Sequence, residues 1–190
     1  METKGRTIEK RSNDIEAAED LRVTGYAAVF DSPTVLWTDP DGTEYREVID
    51  KGAFDKADLS NVVFRYNHAD DFQILARTTN KTLKLSVDDH GLKVEANLAD
   101  TTAGKDLYIL IKRKDIFQMS YAYTVSGDSF DKETRTRHVT QIDHVYDVSA
   151  VDLPAYEDTS IEPVKRNMRA AMEEKDDGDK RKRIAIAEKW

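Results

Sequence analysis

The stretch "TLKLSVDDHGLKVEANL", residues 82–98, carries the pattern that decides the fold. Apolar residues occupy every second position on both of its arms, at Leu83, Leu85 and Val87 and then at Leu92, Val94, Ala96 and Leu98. This period of two is typical of β-strands that bury one face. The intervening "DDHG" is rich in turn residues, so the stretch predicts a β-hairpin.

A similar pattern of strand-forming runs and turn residues extends over most of the chain, where short runs rich in Val, Ile, Tyr and Phe are separated by Asp, Gly, Asn and Pro. We predict further strands over residues 22–30, 44–49, 61–68, 117–125, 135–142 and 144–151. Because strands and helices do not alternate, the pattern indicates a mainly β protein with packed helices, in the α+β class. The expected architecture is an antiparallel β-barrel, closed or nearly closed.

One segment has a clear helical pattern. In "DTTAGKDLYILIKRKD", residues 100–115, Thr101 or Thr102 can cap the first turn, and Leu107, Leu110 and Ile111 fall on one face. A second, short helix can begin at Asp50, in residues 50–59.

The chain has the length of one domain, since 190 residues are enough to bury a single core. Both ends are highly charged and lack apolar periodicity. We therefore expect a flexible N-terminal segment over residues 1–20, a folded β-barrel domain over residues 21–160 and a flexible C-terminal tail over residues 161–190.

Charge is distributed unevenly. Residues 165–190 hold nine Lys/Arg and six Asp/Glu, a net charge of +3. Since the whole chain has a net charge of −8, the other residues together carry −11. An acidic body argues against a nucleic acid as the main ligand, because phosphates bind to basic surfaces. The basic tail is most simply a solvated segment, although it can also contact an acidic protein or a nucleic acid.

The composition excludes several other classes. With no cysteine, the chain has no disulfide, no thiolate zinc site and no cysteine nucleophile. The N-terminal sequence lacks the apolar core of a signal peptide, and no run reaches the roughly 20 apolar residues of a membrane span. We expect a soluble, cytosolic protein without a membrane partner.

Two reactive side chains stand within apolar strands: His68 ends "NVVFRYNH", and Ser120 lies in "FQMSYAY". Taken singly, each is most simply a strand residue. Together they suggest nucleophilic catalysis, because a serine hydroxyl needs a base to accept its proton and that base needs a third group to orient it. Three candidates for the third group follow in "QIDHVYDVSAVDLPAY": His144, Asp147 and Asp152. Asp147 lies inside an apolar strand and therefore requires a partner.

The cluster "HADD" offers His68, Asp70 and Asp71 as metal ligands. Acidic residues so close in a loop more often face water, and we expect neither a metal nor a cofactor.

Five stretches, taken in order, resemble the prohead proteases of tailed bacteriophages. They are "GYAAVFDSPT", "VIDKGAF", "RYNHADD", "HGLKVEANLADTTAGKDLY", and "MSYAY" with "YDVSAVDLPAY", which together extend over about residues 21–158. These proteases are maturation serine proteases with a fold similar to the herpesvirus assemblins. The resemblance therefore implies an assemblin-type barrel and a protease domain over residues 21–160.

The resemblance also implies roles for particular residues. His68 becomes the general base, Ser120 the nucleophile and Asp147 the acid that orients the imidazole, while His144 remains an alternative third member. Two departures from the family pattern stand out: Ala122 occupies a position that is often Gly, and Asp147 one that is often Glu. Arg77 and Arg113 are further candidates for contact with the oxyanion, through a water.

The implied function is serine endopeptidase activity on the scaffolding segments of the major capsid protein, and on the chain itself, inside an assembling procapsid in the host cytoplasm. A homo-oligomer is compatible with this role. A different class of function also fits the sequence, namely a noncatalytic capsid assembly or scaffolding protein with the same fold.

Overall fold

The computed structural model describes residues 7–70, 73–152 and 164–172. These contain the strands β1 (Thr7–Ala17), β2 (Arg22–Val29), β3 (Thr34–Thr38), β4 (Glu44–Ile49), β5 (Val63–Tyr66), β6 (Ala76–Arg77), β7 (Leu83–Val87), β8 (Gly91–Asn97), β9 (Gln118–Asp131) and β10 (Thr136–Val151), and the helix α1 (Thr102–Lys112). Residues 164–172 form a second helix, α2.

The strands form one sheet in the order β3-β4-β10-β9-β1-β2-β8-β7. β7 and β8 make the predicted hairpin, with Leu85 opposite Val94. The sheet is mixed rather than antiparallel, because β10 pairs in parallel with β4 over residues 136–139 and with β5 over residues 147–150. The length of β10 explains the difference, since this 16-residue strand gives one edge to two shorter strands in succession.

The sheet is also not closed into the expected barrel. Its pairing path ends at β3 and β7, and β6, which pairs with β5, forms no ladder with either end within the described residues. The sheet nevertheless curls, because three consecutive residues of β1, 11–13, lie opposite Met119 of β9 before β1 continues along β2. Such a bulge bends the strand and increases its twist.

The core lies inside this curl, between the β2–β8 side, the β9–β10 side and α1. Its fully buried members include Val23, Leu92, Tyr121 and Ile142. α1 contributes Leu107 and Ile111, and its first turn is capped by Thr101, one of the two predicted caps, whose side chain accepts a hydrogen bond from the Gly104 N–H.

The folded body extends beyond both expected boundaries. β1 lies between β9 and β2 in the sheet, although residues 1–20 were expected to stay outside the fold. This placement depends on backbone pairing and close approach, which apolar periodicity does not reveal: a Cβ on Gly25 would lie 2.4 Å from Asp14 O, so β1 can pack here because residue 25 is glycine.

At the other end, α2 covers a small second core within the segment expected to be a tail. Met168 is buried against Leu36, Trp37 and Tyr45, and the Trp37 and Tyr45 rings stack at 4.4 Å. The remaining residues of the predicted tail, 161–163 and 173–190, lie outside the described residues, as does most of "DLPAY".

Other sequence predictions need smaller corrections. Residues 51–56 form turns instead of a short helix, the predicted strands 135–142 and 144–151 are one strand, and β3 and β6 were not predicted. Within the described ranges, no helix has the length and apolar character needed to span a membrane.

Candidate active site

The central strands β9 and β10 place several polar groups on one face of the sheet. Ser120 lies directly opposite Ser149, and Ala122 lies opposite Asp147. Directly opposed residues point to the same side of a sheet, so these side chains are neighbours. A bulge between Val145 and Asp147 shifts the register immediately before this group.

The imidazole reaches this face from the other edge of β10. β5 runs parallel to β10 there, with Tyr66 opposite Ala150. The chain then turns sharply, because Asn67 and His68 both adopt left-handed backbone conformations, with φ of 51° and 55°. The Asn67 N–H still donates to Ala150 O, at 3.0 Å, so the turn stays attached to β10.

The structure brings His68, Ser120 and Asp147 together in one hydrogen-bonded chain. His68 Nε2 lies 2.8 Å from Ser120 Oγ, and His68 Nδ1 lies 2.5 Å from Asp147 Oδ1. Because a carboxylate can only accept, Nδ1 carries the proton in this arrangement. Nε2 of the neutral ring is then free of a proton and faces the serine hydroxyl as an acceptor.

These groups lie below the surface. The side chain of Asp147 is 1% exposed and that of His68 11% exposed, and Ser120 as a residue is 1% exposed. A buried carboxylate is unfavourable unless it is paired. Asp147 is paired with the imidazole and also with Ser149 Oγ, the latter at 3.0 Å. The arrangement can therefore hold a charged carboxylate beside an imidazole that gains a proton.

A second set of contacts fixes the turn that carries His68. Asp152, at the end of β10, accepts hydrogen bonds from Tyr66 Oη at 2.8 Å and from Asn67 Nδ2 at 2.9 Å. The Asp152 N–H donates in return to Asn67 Oδ1 at 3.2 Å. Burial, together with the hydrogen bond to Asp152, raises the pKa of Tyr66.

His144 and Asp152, the other candidates for the group that orients the His68 imidazole, have different surroundings. Asp152 clamps the turn, as described, and His144 Nδ1 pairs with Asp58 Oδ2 at 3.2 Å while its ring contacts Tyr146. It is Asp147 that contacts the His68 imidazole.

The residues suggested as metal ligands or as oxyanion contacts have other partners. Asp70 faces Arg65 at 3.5 Å, Asp71 lies outside the described residues, and the part of the chain that is described holds no cluster of three metal-ligating side chains. Arg77 donates to Asn61 at 2.9 Å, and Arg113 pairs with Asp115 at 3.0 Å.

A serine, a histidine and an aspartate connected in this order form the constellation of serine hydrolases. The comparison with family models agrees with this class: the model described as Caudovirus prohead serine protease matches residues 6–174. The chain belongs to this family. Comparison with curated proteins and with solved structures finds no match.

Sequence reasoning did not single out Ser149, which contacts both Asp147 and His68. A signal was available, because Asp147 and Ser149 are two residues apart and so share one face of an otherwise apolar strand. Two polar groups at this spacing indicate a buried polar site.

Proposed function

We propose that this protein is a serine endopeptidase with Ser120 as the nucleophile, His68 as the general base and Asp147 as the group that orients and stabilises the imidazolium. The observation that carries the proposal is the pair of hydrogen bonds from one imidazole, at 2.8 Å to Ser120 Oγ and at 2.5 Å to Asp147 Oδ1.

The reaction is acyl transfer to the serine. Ser120 Oγ attacks a peptide carbonyl while His68 Nε2 takes the hydroxyl proton, and the imidazolium then protonates the leaving amine. Water hydrolyses the acyl-enzyme by the same sequence of proton transfers. The buried Asp147 stabilises the positive ring during both steps, because the charge pair lies away from water.

The family supplies the proposed substrate. We infer that the protein cleaves scaffolding segments of the major capsid protein inside the assembling procapsid, in the host cell, and that it also cleaves itself. Because Ser120 is nearly fully buried, a substrate carbonyl can reach its Oγ only after local opening, which contact with the capsid precursor can favour.

The test is proteolysis of the capsid precursor by the purified protein, followed by mass spectrometry of the products. We expect wild type to shorten the precursor and its own chain within residues 160–190. Ser120→Ala and His68→Ala should leave both chains intact, whereas His144→Ala should cleave as wild type does.

Two results would contradict the proposal. Continued trimming by purified Ser120→Ala would assign the cleavage to another group. An intact precursor after incubation with wild type, in dilute solution and in assembled particles alike, would favour the noncatalytic assembly role.

A further inference from the structure

The side chain of Ser149 contacts both Asp147 and His68. Its side chain is completely buried, and its Oγ donates to Asp147 Oδ1 at 3.0 Å. The same oxygen accepts from the main-chain N–H of His68 at 3.3 Å and lies 3.4 Å from His68 Nδ1. One hydroxyl therefore contacts both the main chain and the ring of the histidine, as well as the carboxylate that binds the ring.

We propose that Ser149 is a positioning residue, which holds the imidazole of His68 in line between Asp147 and Ser120; this inference rests on the proposed function. The direction of its hydrogen bonds follows from elementary chemistry. The carboxylate can only accept and the His68 N–H can only donate, so the hydroxyl proton points to Asp147 and its lone pairs face His68.

This orientation has a consequence for the tautomer of His68. Because the one proton of the Ser149 hydroxyl points to Asp147 Oδ1, the Nδ1 atom of His68 faces only acceptors, namely Asp147 Oδ1 at 2.5 Å and the Ser149 oxygen at 3.4 Å. The proton therefore stays on Nδ1, and Nε2 stays available to accept from Ser120 Oγ.

The main-chain contact matters because of the backbone conformation. His68 has φ of 55°, in the left-handed region, which is uncommon for residues other than glycine, although Asn, Asp and His adopt it more often than other side chains do. The bond from its N–H to Ser149 Oγ helps to hold this conformation. Without the hydroxyl, that partly buried N–H loses its partner, which is unfavourable, and the ring can shift away from Ser120.

The first test is the rate of phosphonylation of the full-length protein by a fluorophosphonate probe, measured over a range of probe concentrations. Ser149→Ala should lower the maximum rate about 10- to 100-fold, the loss typical of a small displacement of a catalytic group. The probe concentration at half-maximal rate should change little, and Ser149→Thr, which keeps the hydroxyl, should recover most of the rate.

Thr124→Val is the matched control, because Thr124 is a buried residue of β9 whose hydroxyl has no hydrogen-bond partner among the residues that the structure describes. It removes a buried hydroxyl from the same sheet and should leave the rate unchanged. If Ser149→Ala does not fold, Ser149→Cys replaces it, since a thiol is similar in size but a poor hydrogen-bond partner.

A second measurement separates positioning from catalysis. In the Ser120→Ala background, the His68 Nδ1 proton should give a strongly deshielded NMR signal, which the further change Ser149→Ala should weaken or shift and Thr124→Val should not. An unchanged signal, or a phosphonylation rate equal to that of Thr124→Val, would overturn the inference. If wild type is phosphonylated neither alone nor in the presence of the capsid precursor, the proposed function fails, and the NMR comparison alone decides the role of Ser149.

Discussion

At the scale of single residues, the protein buries the carboxylate of Asp147 and provides it with hydrogen-bond donors. Asp147 lies inside the sheet, where an unpaired charge is strongly unfavourable, and it is bonded to His68 and Ser149. The same pairing that makes the burial tolerable also selects the tautomer of the imidazole.

Asp147→Asn tests this selection with almost no change in volume. The amide can donate to the ring and so favours the wrong tautomer, and we expect kcat for precursor cleavage to fall by about 10⁴-fold. The melting temperature should show whether the fold persists.

Asp58→Asn is the matched control, since Asp58 is the carboxylate partner of a different histidine on β10, His144. Its kcat should equal that of wild type. An equal loss in both variants would mean that the effect is general to His–Asp pairs of the sheet rather than specific to the site.

Much of the site could be predicted at this scale. The need of Asp147 for a partner followed from its place in an apolar strand, and the order of motifs pointed to His68 and Ser120. The spacing of Asp147 and Ser149 could have indicated a buried polar pair, but the contact of the Ser149 hydroxyl with the main-chain N–H of His68, 81 residues away in sequence, could not be predicted.

At the scale of elements, the critical feature is the turn after β5. Two successive left-handed residues, Asn67 and His68, return the imidazole over β10, and Asp152 holds the turn from the end of that strand. Sequence alone predicted a strand through His68, because "NVVFRYNH" shows no break in its apolar pattern before the asparagine.

Asn67→Ala should weaken this turn. Alanine is unfavourable in the left-handed region by about 1–2 kcal/mol, and the variant also loses the bonds between Asn67 and Asp152. We expect a lower free energy of unfolding in urea and slower precursor cleavage.

Asn67→Gly separates the two effects, because glycine adopts the same backbone conformation without strain but cannot bond to Asp152. It should recover the part of the stability that belongs to the backbone. Equal free energies of unfolding for the alanine and glycine variants would show that the backbone conformation of residue 67 does not determine the stability of the turn.

The pH dependence of this turn follows from Tyr66. Its pKa is raised in the folded protein, so the fold favours the neutral phenol. The contribution to stability is complete below the usual tyrosine pKa of about 10 and is lost as the pH rises through the higher folded value. Tyr66→Phe should therefore flatten part of the loss of stability above about pH 10, as measured by urea unfolding at several pH values. An unchanged slope would contradict this role.

At the scale of the whole molecule, a buried ionic network joins the central strands. Glu47 of β4 accepts from Tyr123 Oη of β9 at 2.9 Å and from Arg137 of β10 at 2.7 Å, and Arg137 also binds Asp128 at 2.6 Å. Burial opposes the charged form of Arg137, but these neighbouring carboxylates outweigh it and raise its pKa above the usual value.

Arg137→Met should remove the cation that pairs with the buried Glu47 carboxylate. We expect a loss of about 3–5 kcal/mol in the free energy of unfolding, measured by urea denaturation. Arg46→Met removes an arginine from an exposed pair with Glu44 and should change stability by less than about 1 kcal/mol. Similar losses in the two variants would show that the buried network has no special weight.

The topology was the least predictable property. The alternation of apolar and polar residues correctly indicated a mainly β protein, but it does not reveal which strand edges pair. A 16-residue strand that pairs with two parallel partners has no local sequence signature. β1 was missed for a related reason, because its place depends on backbone pairing to β9 and β2 rather than on an apolar pattern.

We propose above that the His68–Asp147 pair makes the hydroxyl of Ser120 nucleophilic. The most direct measurement is to treat the protein with a fluorophosphonate and locate the adduct by peptide mass spectrometry. We predict one adduct, on Ser120, in wild type and none in His68→Ala or Ser120→Ala. An adduct on another residue, or equal modification of Ser120 in His68→Ala, would show that the His68–Asp147 pair does not activate Ser120.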